Sequence, residues 1–213
     1  MLSVHHLGKS QSERIVWLCE ELGIRYELKL HERDKVTNLS PPALKALSPL
    51  GSAPVITDGD LVLAESGAIV DYIIGRHGGG RLALAPNHPH FADYVYWFHF
   101  ANGTLQPAMG RMMILRRLSL PADNPVLGAM QGRLDRALGL LDAHLGKAPW
   151  LAGDEFTAAD IMTVFSLTTM RLFMPLDLAP WPSIVAYLGR IGDRPAYRRA
   201  MAKGDPGMTP LLR

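Results

Sequence analysis

With 213 residues, 48% apolar and 20% charged, the chain has material for one large domain or two small ones and can bury a real core. Its formal net charge of +2 argues against nucleic acid or an anionic membrane surface as partner, and no apolar run approaches the ~20 residues of a membrane span. One cysteine excludes an internal disulfide and any cysteine-based metal site, and the lack of a charged-then-apolar leader makes the cytoplasm the expected address.

The first third alternates strand and helix patterns. "LSVHH" reads as a strand, and residues 11–22 form a helix pattern with Ile15, Leu18, Cys19 and Leu22 at i, i+3, i+4 and i+7 on one face. Gly23 supplies the C-terminal stop. "YELKLH" alternates apolar and polar as a half-buried strand does, and "TNLSPPALKALSPLG" carries a short helix among its prolines. "PVITDGDLVLA" is a hairpin around Asp58-Gly59-Asp60, and "SGAIVDYIIGRH" follows as a helix. The order β-α-β-α-β-β-α makes residues 1–77 a small α/β domain.

The glycines and prolines of residues 78–90, "GGGRLALAPNHPH", suit a linker. Residues 91–213 then read as an all-α domain. A long helix over 91–118 is rich in aromatics and Met. In 125–145, Met130, Leu134, Leu138, Leu141 and Leu145 keep helical spacing, as do Ile161, Val164, Phe165 and Thr168 further on. Two shorter helices are expected at 182–192 and 195–203, where Arg190, Arg194, Arg198 and Arg199 read as a solvated face.

Candidate chemistry gathers in three places. Cys19 lies on the apolar stripe of its helix and reads as inert packing, and the eight histidines lack metal-ligand spacing, so no metal is expected. Ser10 and Glu13 fit an S-x-x-E capping box, in which the serine oxygen accepts from the third helical N–H. The same helix N-terminus attracts anions, and a hydroxyl held there can donate to a thiolate, so both roles stand. In "SPLGSAPV", Pro54 sits at the mouth of a strand expected inside the sheet, which favours a cis bond and turns the Ala53 backbone outward as an edge for an extended peptide. In "AESGAI", Ser66 caps the next helix beside an acidic neighbour, or Glu65 binds an ammonium while Ser66 holds a carboxylate, a pairing suited to an α-amino acid end.

Taken in order, Ser10 and Arg14 (S-x-x-x-R), Pro54 before a strand, Glu65-Ser66-x-Ala68-Ile69, the linker, "WLAGDE" and "FTAADI" resemble the cytosolic glutathione S-transferases, most of all their serine-type bacterial and fungal members. The resemblance spans the whole chain. It implies a thioredoxin-like first domain that binds glutathione, and an all-α helical bundle that contributes the pocket for a hydrophobic electrophile. On it, Ser10 would hydrogen-bond the glutathione sulfur, Ala53 would pair its backbone with the cysteinyl residue before a cis Pro54, and Glu65 and Ser66 would hold the γ-glutamyl end. Thr157 and Asp160 would be structural, capping a core helix. The family is usually dimeric, so a homodimer is expected. A basic residue common in relatives is Ser52 here, leaving Lys35 or Lys45 as alternatives for the glycyl carboxylate. Phe98, Asn102 and Gln106, in the same stretch as Trp97 and Met109, are the expected contacts for the electrophile.

A thiol with a pKa of about 8.5 is only about 3% thiolate at pH 7, and lowering that pKa by about two units takes about 2.7 kcal/mol. A charge-assisted hydrogen bond supplies roughly 1.5–3 kcal/mol and a helix N-terminus roughly 0.3–1 kcal/mol, enough without a general base. The expected activity is therefore transfer of glutathione to an electrophile. Alternatives are peroxide reduction, isomerisation or dehalogenation on the same site, or a non-catalytic binding module of the same fold.

Overall fold

All six residues of β1 (Leu2–Leu7) are buried in the computed structural model, which describes residues 1–48 and 50–213. Pro49, in the "SPLGSAPV" stretch, lies outside the described residues. Burial on this scale follows from position. β1 pairs in parallel with β2 (Glu27–His31), Val4 opposite Leu28, and antiparallel with β3 (Val55–Asp58), His5 opposite Val55. A hairpin joins β3 to β4 (Leu61–Ala64), with Gly59 supplying a positive φ of 59° at the turn, so the sheet order is β2-β1-β3-β4. Polar side chains on so buried a strand need partners. Ser3 Oγ donates to Glu27 at 2.8 Å, and the His5 and His31 rings meet at 3.0 Å.

The first helix, α1 (Glu13–Leu22), buries the expected stripe of Ile15, Leu18, Cys19 and Leu22 and ends at Gly23 in the left-handed conformation, φ 61°. It begins two residues later than the apolar spacing suggests. With the short α2 (Pro42–Lys45) and α3 (Ser66–Arg76), the order is the β-α-β-α-β-β-α of a thioredoxin-like domain, followed by helices alone.

The chain divides into two compact units, residues 1–83 with 192–210, and residues 84–191 with 211–213. The first therefore includes α9 (Pro195–Gly204), which lies along α1. Trp17 meets Tyr197 edge-on at 4.9 Å, and Glu20 accepts from Arg199 at 3.0 Å and from Lys203 at 2.5 Å. The terminal arginines are thus not simply a solvated face: Arg194 and Arg199 are drawn onto α1 carboxylates, Arg198 onto Asp193, and Arg190 onto the Pro149 carbonyl.

In the second unit the expected helix over 91–118 is interrupted. α4 (Phe91–Phe100) runs into a π turn, Ala101–Leu105, before α5 (Gln106–Arg117). Pro107 has no amide hydrogen for the Gly103 carbonyl four residues back, and the ladder widens just upstream, the Gln106 amide reaching Ala101. α6 (Pro125–Leu145) is capped by Asn124, which accepts from the Val126 amide at 3.0 Å. α7 (Ala158–Leu167) is buried along its whole length, and Thr157 and Asp160 form a reciprocal capping box at its start. Asp160 also accepts from the Leu151 amide at 3.1 Å and from Tyr187 of α8 (Pro182–Asp193) at 3.0 Å. Burial raises its carboxyl to about 6, with those hydrogen bonds pulling the other way. Among the described residues no helix is long and apolar enough to cross a membrane.

Candidate active site

Sheet topology brings three segments to one end. The turn after β1 leaves from Leu7. β3, running antiparallel, starts there with Val55, and β4 finishes opposite it at Ala64. Residues 8–12, the Ala53–Pro54 peptide and the Glu65–Ser66 start of α3 therefore share that end, over a buried cluster of Leu7, Leu44, Ala53 and Val55.

The turn after β1 is held by side chains from far away. Gly8 has Asp205 Oδ1 where a side chain would begin, 3.2 Å from an added Cβ. Lys9 adopts a positive φ of 54°, and its amide donates to Asp205 Oδ1 at 2.7 Å. Arg33 donates to the carbonyls of both Gly8 and Lys9, each at 3.1 Å.

The S-x-x-E cap at Ser10 does not form. The Glu13 amide donates instead to the Ser10 carbonyl at 3.1 Å, and Ser12 holds the N-cap position. Ser12 is already helical (φ −67°, ψ −14°), so its side chain turns back toward β1 rather than over the helix end. There its hydroxyl accepts from the Leu7 amide at 3.1 Å and lies 3.0 Å from His6 Nδ1. Ser10 Oγ accepts from the Ser12 amide at 3.2 Å and lies 2.7 Å from Ser12 Oγ.

The Ala53–Pro54 bond is cis, and both residues are buried. Glu65 is exposed and precedes α3 with a positive φ of 72°; Ser66 is the first helical residue rather than its cap. The Ser66 hydroxyl accepts from Arg14 at 3.2 Å, and the same guanidinium nitrogen donates to Gln11 at 3.0 Å. Arg14 is wholly buried, and burial pushes its guanidinium down to about 9, with Glu13 opposing. A buried cation beside a hydroxyl at a helix start favours an anion, and the exposed Glu65 carboxylate next to it favours a cation. Lys35, Lys45 and Ser52 are exposed. Burial pushes the Cys19 thiol up, so it stays protonated and inert.

In the helical unit Phe98 is buried on α4, with Tyr94 beside it at 5.9 Å. Asn102 falls in the π turn and Gln106 opens α5, both half-buried. Trp97 is buried against His144, 4.7 Å between rings. Among the described residues no group of three or more His, Cys, Asp or Glu side chains is placed to hold a metal.

Sequence reasoning gave no role to His6 or Asp205, and noted Ser12 beside Ser10 in the turn without assigning it one. A histidine inside a fully buried strand was a readable signal for the first. Asp205, 199 positions from the ring it touches, gave none.

Comparison with known proteins agrees over nearly the whole chain. Residues 2–75 match the family model of the glutathione S-transferase N-terminal domain, and residues 124–190 that of the C-terminal domain. Glutathione S-transferase 3 of Schizosaccharomyces pombe is 31% identical over 226 aligned positions, covering 100% of this chain and 91% of that protein. A glutathione S-transferase structure from Actinobacillus pleuropneumoniae superposes with a TM-score of 0.87 at 32% identity, covering 96% of this chain and 93% of the other. A glutathione transferase family member from Pseudomonas fluorescens, solved with two glutathiones bound, gives 0.77 at 25% identity over 94% and 92% of the two chains.

Proposed function

Because the chain belongs to the glutathione S-transferase family of enzymes, we propose that its first unit binds glutathione and presents the thiolate to a hydrophobic electrophile. The division of labour would be residues 1–77 for glutathione, 78–90 as linker and 91–213 for the electrophile, with 192–210 returning to support the first unit, in a protein that works as a homodimer. One observation carries the reading: Ser10, at the mouth of α1, shares the sheet end with the cis Ala53–Pro54 peptide and with Glu65–Ser66.

Each group then has a role its chemistry suits. The Ser10 hydroxyl donates to the sulfur, and the α1 N-terminus adds its positive field. Ala53 offers its backbone to the cysteinyl residue, as strand addition does. Glu65 takes the γ-glutamyl ammonium, and Ser66, backed by Arg14, takes the carboxylate. Phe98, Asn102 and Gln106 contact the electrophile, whose identity such apolar surfaces set mainly by shape.

Replacing Ser10 by Ala tests this. The ultraviolet thiolate titration of bound glutathione should move up by about one to two pH units, the loss of one charge-assisted hydrogen bond. An unchanged midpoint reduces Ser10 to a turn residue.

A further inference from the structure

Behind Ser10 runs a line of buried polar groups. Ser12 and His6 are wholly buried (0% exposed), and Asp205 is 8% exposed. Asp205 Oδ2 lies 3.2 Å from His6 Nε2, and a carboxylate only accepts, so the hydrogen of the neutral ring sits on Nε2. Nδ1 is then an acceptor at 3.0 Å from Ser12 Oγ, nearer than that hydroxyl's other acceptor, the Leu7 carbonyl at 3.3 Å, and Ser12 donates to it. With its one hydrogen committed, Ser12 Oγ accepts from the Leu7 amide and, at 2.7 Å, from Ser10 Oγ. Ser10 Oγ accepts the Ser12 amide and keeps a lone pair for an incoming donor. Asp205 thus sets the ring tautomer, and the closeness of Nδ1 aims the remaining hydrogens along the line.

We infer that Ser10, Ser12 and His6 form a proton wire that carries the hydrogen ion of the glutathione thiol to His6, with Asp205 holding the imidazolium. The inference rests on Ser10 being the partner of the thiol. The S–H bond breaks with its electron pair left on sulfur, and that proton bonds to Ser10 Oγ. Ser10's own hydrogen passes to Ser12 Oγ, and Ser12's passes to His6 Nδ1. Both serines end neutral, sulfur carries one negative charge and the ring one positive, so net charge is unchanged. The three hydrogen bonds from sulfur to His6 have reversed: Ser10 now donates to the thiolate, Ser12 to Ser10 and His6 to Ser12. The base thereby leaves its product state with the hydroxyl aimed at sulfur.

Asp205 is the group that suits a charge held on the ring. Asp205 stays below the usual carboxylate range: burial opposes this, but the His6 contact and the Lys9 amide outweigh it. The other charged or titratable groups facing this pair are Lys9 in the turn, Arg33 after β2 and His31 on β2; the neighbouring β3 residues, Val55 and Ile56, are uncharged. With Lys9 and Arg33 the cations nearby, the imidazolium depends on Asp205. The fit is close: a Cβ at Gly204 would lie 3.1 Å from His6 Nε2.

The test mixes the full-length protein with glutathione near neutral pH in weak buffer containing an indicator, reading thiolate absorbance and released protons together. The intact protein should release fewer protons than thiolates formed, because His6 keeps them. His6→Asn places an amide where Nδ1 was, holds Ser12 and takes no proton; it should release one proton per thiolate, its midpoint raised by about one pH unit or more. Ser12→Ala cuts the wire at its middle, should give the same result, and serves if His6→Asn does not fold. S-methylglutathione, which has no thiol hydrogen, should bind these variants as it binds the parent and so reports folding. One proton released per thiolate by the intact protein, or wild-type midpoints in both variants, overturns the wire alone. A wild-type midpoint in Ser10→Ala overturns the role of Ser10 beneath it.

Discussion

Arg194 grips Glu21 with two hydrogen bonds, 2.7 and 2.8 Å, across 173 positions of sequence. The Trp17 indole donates to the same carboxylate at 2.9 Å, so one residue of α1 ties both its own helix and α9. Trp17 is 2% exposed and rests on Tyr197. Covering that face of α1 is the work of α9. Trp17→Ala should therefore cost about 3–5 kcal/mol, as other large buried aromatics do, read as a lower urea midpoint. A chain cut before residue 192 should lose cooperative unfolding of the first unit and bind a hydrophobic dye. Sharp two-state unfolding of that fragment would show α1 needs no cover.

Glu20 gives the same contact a pH dependence. Burial alone would raise its carboxyl, but hydrogen bonds from Lys203, Tyr26 and Arg199 outweigh burial and hold it below the usual range. A depressed carboxylate stabilises the fold above its unfolded pKa, and that stability is lost as pH falls through the folded value. Glu20→Gln should cost on the order of 1–2 kcal/mol at pH 7, since Arg199 and Lys203 are half exposed and water screens them. The gap between the two proteins should close in acid. Urea midpoints at neutral and acid pH check this, and a constant gap refutes it.

Asp160 should behave in the opposite sense. Its carboxyl, raised by burial to about 6, favours the protonated form in the folded state. Its stabilising contribution is full below the unfolded value of 3.8 and is lost as pH rises through about 6. The parent should therefore lose stability relative to Asp160→Asn across that window, by about 1.4 kcal/mol for each unit separating the two pKa values. At any pH the variant should be the weaker protein, because its amide cannot accept from Thr157, Leu151 and Tyr187 together. Melting temperatures from pH 4 to pH 7 measure both effects.

What could be read from the sequence was local. The α1 stripe and its Gly23 stop, the hairpin at Asp58-Gly59-Asp60 and the Thr157–Asp160 pair all depend on neighbours within a few positions, and each took its expected form. The cis bond before Pro54 was legible because proline inside a sheet leaves few options. The Ser10 cap failed over a short distance too, because Ser12 is one of two serines competing for one helix end and the strand claimed its hydroxyl. The π turn needed the consequence of Pro107 to be followed upstream. Nothing local announces that Asp205 reaches Lys9 and His6, since that contact exists only once α9 lies on α1. The segments gathered at one end of the sheet were visible in the sequence; the polar line behind Ser10 was not.

The return of residues 192–210 to the first unit sets a timetable for synthesis. Domains usually form as they leave the ribosome, the earliest first. Here the strands and α1 emerge and then wait for the whole second unit to be translated, roughly 5–20 s at about 5–20 residues per second. During that interval the nascent Trp17 surface is open to chaperones and proteases. The later-made helices hold nearly all their sequence before the earlier-made sheet can be sealed.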